Sequence, residues 1–169
     1  MYEPYPSGEQ MPEQPQPAAA PPPVQMAVKL MYAGAALSAI GLILQLATIS
    51  SLKAAIVKRY PNDTPSQVHS IQTAGIVAAV IGGLIGIGIW IWMARANNAG
   101  KSWARVTGTV FFGIDTLLIL GSFVRPQASL GLVFTLIVWL TGLGAVILLW
   151  RRESSQYFAA MSGSRTQPG

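Results

Sequence analysis

The sequence predicts an all-α fold, a four-helix transmembrane bundle that follows a disordered proline-rich tail. Only 10% of the 169 residues are charged and 51% are hydrophobic, whereas about a quarter of the residues of a soluble protein are charged. The hydrophobic residues form four long runs, and every proline lies outside those runs. In lipid the backbone of such a run satisfies its own hydrogen bonds as a helix, so each run is expected to be one transmembrane span.

The first segment, residues 1–26, holds eight of the twelve prolines. Proline fixes φ and donates no backbone hydrogen bond, so we expect a disordered, partly polyproline-II tail rather than a helix. Within it, Pro12-Glu13-Gln14-Pro15 has the spacing of a PxxP ligand. The tail is therefore a candidate attachment point for a protein partner, although a plain flexible tail is the simpler interpretation.

The first two spans are expected at residues 27–50 and 71–93. About 20 residues cross a hydrocarbon core of about 30 Å, so both runs are long enough. The first helix is expected to continue past the bilayer until Pro61 stops it. Thr64-Pro65-Ser66-Gln67 is a capping box with proline at the first helical position. The second helix should therefore begin outside the bilayer, and Asn97, Asn98 and Gly100 should end it.

The third and fourth spans are expected at residues 104–124 and 130–150. Arg125-Pro126 ends the third and Arg151-Arg152 ends the fourth. The bundle as a whole then covers residues 27–158, and residues 159–169 are expected to be a flexible C-terminal tail. The pair Tyr157-Phe158 is expected to help anchor the last helix at the inner head groups.

Lysine and arginine placement predicts the orientation, because cytoplasmic loops carry an excess of these residues. Six of them fall on the side of the N-terminus and four on the other side. Tryptophans also cluster at span ends on the first side, where the indole N–H meets water. We therefore expect both chain ends in the cytoplasm. The residues on the cytoplasmic side are Lys29, Arg95, Lys101, Arg105, Arg151 and Arg152, with Trp90, Trp92, Trp103 and Trp150.

Several function classes are disfavoured by composition. The net charge of +5 comes from residues that flank apolar runs, which favours contact with anionic membrane lipids over nucleic acid. The chain has no cysteine and a single histidine, His69. A thiol relay needs cysteines, and a metal or haem site needs more ligands than one histidine. No metal and no cofactor are therefore expected.

Asp115 is the unusual residue, because it lies near the middle of the third span. A charged aspartate at that depth costs about 2.5–3.5 kcal/mol on insertion scales. Protonation or a hydrogen-bond partner lowers this cost. Ser38 in the first span and Thr141 in the fourth lie at similar depth and are the candidate partners, and Gln45 can belong to the same polar network.

Two interpretations of Asp115 stay open. It is either a proton or cation site of a transporter, or a neutral acid that holds helices together through hydrogen bonds. Gly108, Asp115 and Ser122 recur every seven residues and form a small polar seam suited to a bundle interior. No lysine, arginine or histidine lies deep inside the spans, which favours the structural interpretation.

The second span carries a row of small residues at a spacing of four. Such residues let two helix backbones approach closely. We expect the partner helix to be inside the bundle, because four short-looped helices must pack against one another; a second copy, giving a homo-oligomer, is the alternative. The row is Ala74, Ala78, Gly82 and Gly86.

Three segments together resemble a known group of proteins. They are Leu30–Gly34, Trp92–Val106 (without Asn98 and Ala99) and Leu149–Phe158. Residues 27–158 resemble small, uncharacterised four-span membrane proteins of actinobacteria, which carry proline-rich N-terminal tails. The resemblance implies a bacterial plasma membrane and no activity.

The leading hypothesis is a non-enzymatic integral membrane protein that contacts proteins or lipids. The alternative is a small proton- or cation-coupled transporter or channel that uses Asp115. An intramembrane enzyme is disfavoured, because a serine nucleophile would need a histidine or lysine beside it within the membrane.

Overall fold

The computed structural model describes residues 19–122 and 129–163, and these residues form six α-helices without a strand. Four of the helices are long and apolar enough to cross a membrane, so the predicted all-α transmembrane bundle is confirmed. Residues 1–18, including the PxxP segment, lie outside the described residues. The helices are α1 (Pro22–Ala47), α2 (Ile49–Arg59), α3 (Pro65–Asn98), α4 (Ser102–Ser122), α5 (Ser129–Leu149) and α6 (Arg152–Gly163).

The helix α1 begins earlier than predicted. Pro22 and Pro23 occupy its first two positions, where a missing N–H breaks no hydrogen bond and the fixed φ suits a helix. Val24 and Ala27 are completely buried. Residues 22–26 are therefore helical, and the predicted tail boundary at residue 26 is wrong. Proline breaks a helix in its interior, but in the first turn, as here, it starts one.

A one-residue break at Thr48 separates α1 from α2. The Thr48 hydroxyl donates to the carbonyls of Leu44 (3.2 Å) and Gln45 (3.0 Å). Such side-chain bonds compete with the helical backbone ladder. The continuation beyond the first span is otherwise as predicted, because α2 ends at Arg59, two residues before Pro61.

The helix α3 has the predicted capping box. The Gln67 N–H donates to Thr64 Oγ1 (3.4 Å), and the Thr64 N–H donates to Gln67 Oε1 (2.7 Å). With 34 residues, α3 is about 51 Å long, well beyond the roughly 30 Å of a hydrocarbon core. Its first turns pack against α2, with Ile56 and Val68 buried. We call this the hairpin end of the bundle.

The predicted end of α3 is also confirmed. The Lys101 N–H donates to the Ala96 carbonyl (3.1 Å) and the Gly100 N–H to the Asn97 carbonyl (3.0 Å). These two bonds define a Schellman motif. Gly100 has φ +64, a value that glycine adopts without the steric cost of a Cβ.

The helix α6 corrects the prediction for the end of the chain. Residues 159–163, predicted as flexible tail, complete this helix, and residues 164–169 lie outside the described residues. Phe158 is 1% exposed, and the Tyr157 hydroxyl donates to the Asn98 carbonyl (3.0 Å). The two rings therefore pack against the end of the bundle.

The helices pack unevenly. In the described residues α1 contacts both α3 and α5 along much of its length, α4 contacts α5 and to a lesser extent α3, and α1 does not reach α4. The buried hydrophobic residues concentrate where α1 begins and α5 ends, which we call the Pro22 end. Packing is tight at this end. Towards the middle of the helices it is looser, which leaves space between them. The core of the Pro22 end includes Val24, Met31, Met93, Ala104, Leu149 and Phe158.

Candidate functional site

A cavity of about 570 Å³ lies between α1, α3, α4 and α5, and it is open to the surface of the bundle at Ile85 and Leu118. Small-molecule sites have volumes of about 300–1,000 Å³, so the cavity has the size of a ligand site. Met93 and Leu149 line it towards the Pro22 end, and Phe111 and Leu118 line it on α4. Among the described residues that line it, the wall is apolar apart from a few groups, and the Asp115 carboxyl is the one ionisable group.

Glycines create this space on two sides. A Cβ added at Gly82 or Gly86 of α3 would meet no atom within 4 Å, and one added at Gly108 of α4 would meet only Met93 Cε, at 3.3 Å. All three glycines line the cavity. At these positions α3 and α4 have no side chains to fill the space between them, and the cavity occupies that space.

Aromatic side chains of α3 and α4 also line the cavity. An added Cβ at Gly34 would lie 3.0 Å from the Trp90 ring, and one at Gly142 would lie 3.1 Å from Phe112 Cδ2. The missing side chains of α1 and α5 thus admit the two rings, which are fixed against helix backbone. Trp90 and Phe112 both line the cavity.

A polar link between α4 and α5 stands beside the cavity. The Trp139 indole N–H donates to Thr116 Oγ1 (2.9 Å), whose hydroxyl donates to the Phe112 carbonyl (2.8 Å). This hydrogen-bonded link was not predicted from the sequence. Its signal was available, because an indole N–H in mid-span needs an acceptor within the bundle.

Asp115 lines the cavity together with Ser38. Its side chain is exposed, and within the described residues it forms no hydrogen bond or ion pair. The predicted hydrogen bonds to Ser38 and Thr141 are not formed. The reason is geometric: α1 does not reach α4, and the Thr141 hydroxyl donates to the carbonyl of Ile137 (2.8 Å) on its own helix.

The rest of the predicted polar network is dispersed. Gln45 is exposed and does not line the cavity. Gly108 lies on the same cavity wall as Asp115, as the seven-residue seam predicted, whereas the side chain of Ser122 is outside the description. The candidate site is therefore the Asp115 carboxyl in an apolar cavity, with the Ser38 hydroxyl on another wall.

The small-residue row of the second span does not make the expected internal contact at its glycines. Ala74 and Ala78 are exposed, and Gly82 and Gly86 face the cavity. A close approach of α1 to α3 occurs at Gly83 instead, where an added Cβ would lie 3.0 Å from Leu42 Cδ1. The neighbouring position, one step along the helix, is the one that packs.

Arg105 organises the Pro22 end of the bundle. Its guanidinium carbon lies 4.4 Å from the Trp150 ring centre and 5.4 Å from that of Phe158, and Nη1 donates to Ser155 Oγ (3.0 Å). The Trp150 N–H donates to Thr109 Oγ1 (2.9 Å). Sequence reasoning counted Arg105 as a charge at the membrane boundary, but its contacts join α4 to the end of α5 and to α6.

Metal chemistry has no visible support in the described part of the chain, which contains no group of three or more histidine, aspartate or glutamate side chains placed to hold an ion. His69 is exposed near the hairpin end. The arrangement of the cavity is suited to binding an apolar molecule, with one carboxyl to orient it.

The fold is that of a multi-pass α-helical membrane protein, with a cavity between four of its helices. The chain matches no protein-family model, no curated protein and no solved structure.

Proposed function

We propose that this chain is a non-enzymatic integral membrane protein that binds a lipid chain or another apolar molecule in the cavity between α1, α3, α4 and α5. The observation that carries the proposal is the cavity itself: about 570 Å³, walled by glycine backbone and aromatic rings inside the spanning region. Binding suits a cavity whose described lining residues offer one carboxyl and no nucleophile–base pair.

The physical basis of such binding differs from that in water. Lipid tails are as apolar as the cavity wall, so the hydrophobic effect gives little preference for the cavity over the bilayer. Selectivity has to come from close van der Waals packing against fixed surfaces. The rings of Trp90 and Phe112, held against Gly34 and Gly142, supply such surfaces.

A lipid with a photoreactive group in its tail tests the proposal. In the wild-type protein we expect cross-links at buried cavity residues such as Met93 and Ala145. Gly86→Leu should place a side chain in the cavity and reduce this labelling several-fold. Gly88→Leu is the matched control, because Gly88 lies on the same helix, has nothing within 4 Å of an added Cβ and does not line the cavity. Equal labelling of both variants would contradict the proposal.

We further propose that the membrane is a bacterial plasma membrane and that the Pro22 end faces the cytoplasm. The excess of lysine and arginine at that end supports this orientation, and the resemblance to actinobacterial four-span proteins supports the membrane. The proline-rich segment would then be available to a cytoplasmic protein partner.

A second candidate function is proton- or cation-coupled transport through Asp115. The observation that favours it is the position of this carboxyl in the cavity without a partner among the described residues. Proton flux into dye-loaded vesicles, compared between wild type and Asp115→Asn, tests it. Equal flux in both would remove Asp115 as the coupling group.

A further inference from the structure

We infer that the ligand of the cavity is a cationic amphiphile: an apolar chain with a protonated amine that pairs with the Asp115 carboxylate. The inference rests on the proposed function and adds the chemical class of the ligand. Asp115 lacks the partner that a charged group at this depth needs. A carboxylate at mid-membrane depth costs about 2.5–3.5 kcal/mol, yet the described residues give Asp115 neither a donor nor a cation.

No cation described on α4 is placed to meet this carboxylate. Arg105 lies ten residues earlier on the same helix, about 15 Å away along the axis. Its guanidinium is also engaged by Trp150, Phe158 and Ser155 at the Pro22 end. A cation that enters the cavity can approach the carboxylate directly.

The cavity discriminates between kinds of cation. Metal ions such as Ca²⁺ take 6–8 oxygen ligands, and the lining residues offer one carboxyl and the Ser38 hydroxyl as oxygen-bearing side chains. An ammonium needs fewer oxygens, and its attached chain matches the apolar wall. Trp90, Phe111 and Phe112 also line the cavity, and aromatic rings attract cations. The site therefore favours an organic amine over an inorganic ion.

The test compares three probes of equal chain length: dodecylamine, dodecanol and dodecanoate. At pH 7 the amine is protonated, like the side chain of lysine. The full chain is placed in nanodiscs of zwitterionic phosphatidylcholine, and binding is followed by the change in tryptophan fluorescence, because Trp90 and Trp139, two of the five tryptophans, line the cavity. Empty nanodiscs correct for partition into lipid.

We expect the wild-type protein to bind dodecylamine about tenfold more tightly than dodecanol, and dodecanoate least tightly. In Asp115→Asn the amine and the alcohol should bind equally. Asp115→Glu keeps the charge and should keep the preference, which separates the loss of the carboxylate from a loss of fold. Asp63→Asn is the control, because Asp63 lies at the hairpin end outside the cavity.

The outcomes separate the two claims. If dodecanol and dodecylamine bind equally to the wild-type protein, or the preference persists in Asp115→Asn, the inference is overturned and the proposed function survives. If none of the three probes binds, the proposed function fails as well.

Discussion

Glycines of the spanning helices serve two different purposes. Gly34 and Gly41 of α1 lie against the aromatic rings of Trp90 and Phe134, so that helix and ring approach closely. Gly82 and Gly86 of α3 touch nothing at the position of a side chain and leave the cavity open. Sequence spacing alone does not distinguish these uses, because both kinds of glycine lie within long apolar runs.

Gly41 is a glycine that packs against an aromatic ring. A Cβ at Gly41 would lie 2.7 Å from Phe134 Cε1, so Gly41→Ala must displace that ring. Overpacking costs about 1–3 kcal/mol, more than the roughly 0.5–1 kcal/mol that alanine gains in a helix. We expect a lower melting temperature in detergent. Gly88→Ala, with open space around it, should melt at or slightly above the wild-type temperature; the same loss in both variants would refute the distinction.

At the scale of the element, the ends of α3 are set by local side-chain and backbone chemistry. Its start is the Thr64–Gln67 capping box and its end is the Schellman motif at Gly100. Both ends were predictable from sequence because they depend on neighbouring residues alone. The break at Thr48 and the helix α6 were not predicted. The break depends on the Thr48 hydroxyl, which bonds to a carbonyl of its own helix. The helix α6 depends on tertiary packing, because its buried residues belong to the core at the Pro22 end.

The capping box is a testable element. Thr64→Ala removes the acceptor of the Gln67 N–H and should cost about 1 kcal/mol of local stability. Hydrogen exchange of the amides of residues 66–68 should speed up several-fold. Thr64→Ser keeps the oxygen and should restore slow exchange. Fast exchange already present in the wild-type protein would show that the cap contributes little.

The end of α3 gives another prediction. Gly100→Ala combines an unfavourable φ of +64 with a Cβ 2.7 Å from Met161 Cγ. A non-glycine residue in the left-handed region costs about 1–2 kcal/mol, and here α6 must also shift. We expect faster proteolysis of α6 in detergent, with Gly113→Ala, which has open space, as the unchanged control. Wild-type cleavage rates for Gly100→Ala would contradict the packing of α6 on this turn.

At the scale of the whole molecule, the number of spans and their order followed from hydrophobic run length. The site did not follow as well. The sequence identified Asp115 as the unusual residue, but its expected partners Ser38 and Thr141 depend on which helices are neighbours. Depth can be counted along a helix, whereas rotation and neighbourhood arise from packing. Hence the carboxyl was predicted and its open cavity was not.

The most direct test of the four-span bundle uses cysteine labelling, since the natural chain has no cysteine. Asn62→Cys, Asn98→Cys and Glu153→Cys place one exposed thiol in turn at the hairpin end, at the turn after α3 and on α6. Gln127→Cys places a thiol between the third and fourth apolar runs of the sequence. In intact cells a membrane-impermeant maleimide should label positions 62 and 127, and positions 98 and 153 should react only after permeabilisation. Protection of position 127, or labelling of positions 62 and 153 from the same side, would contradict the bundle.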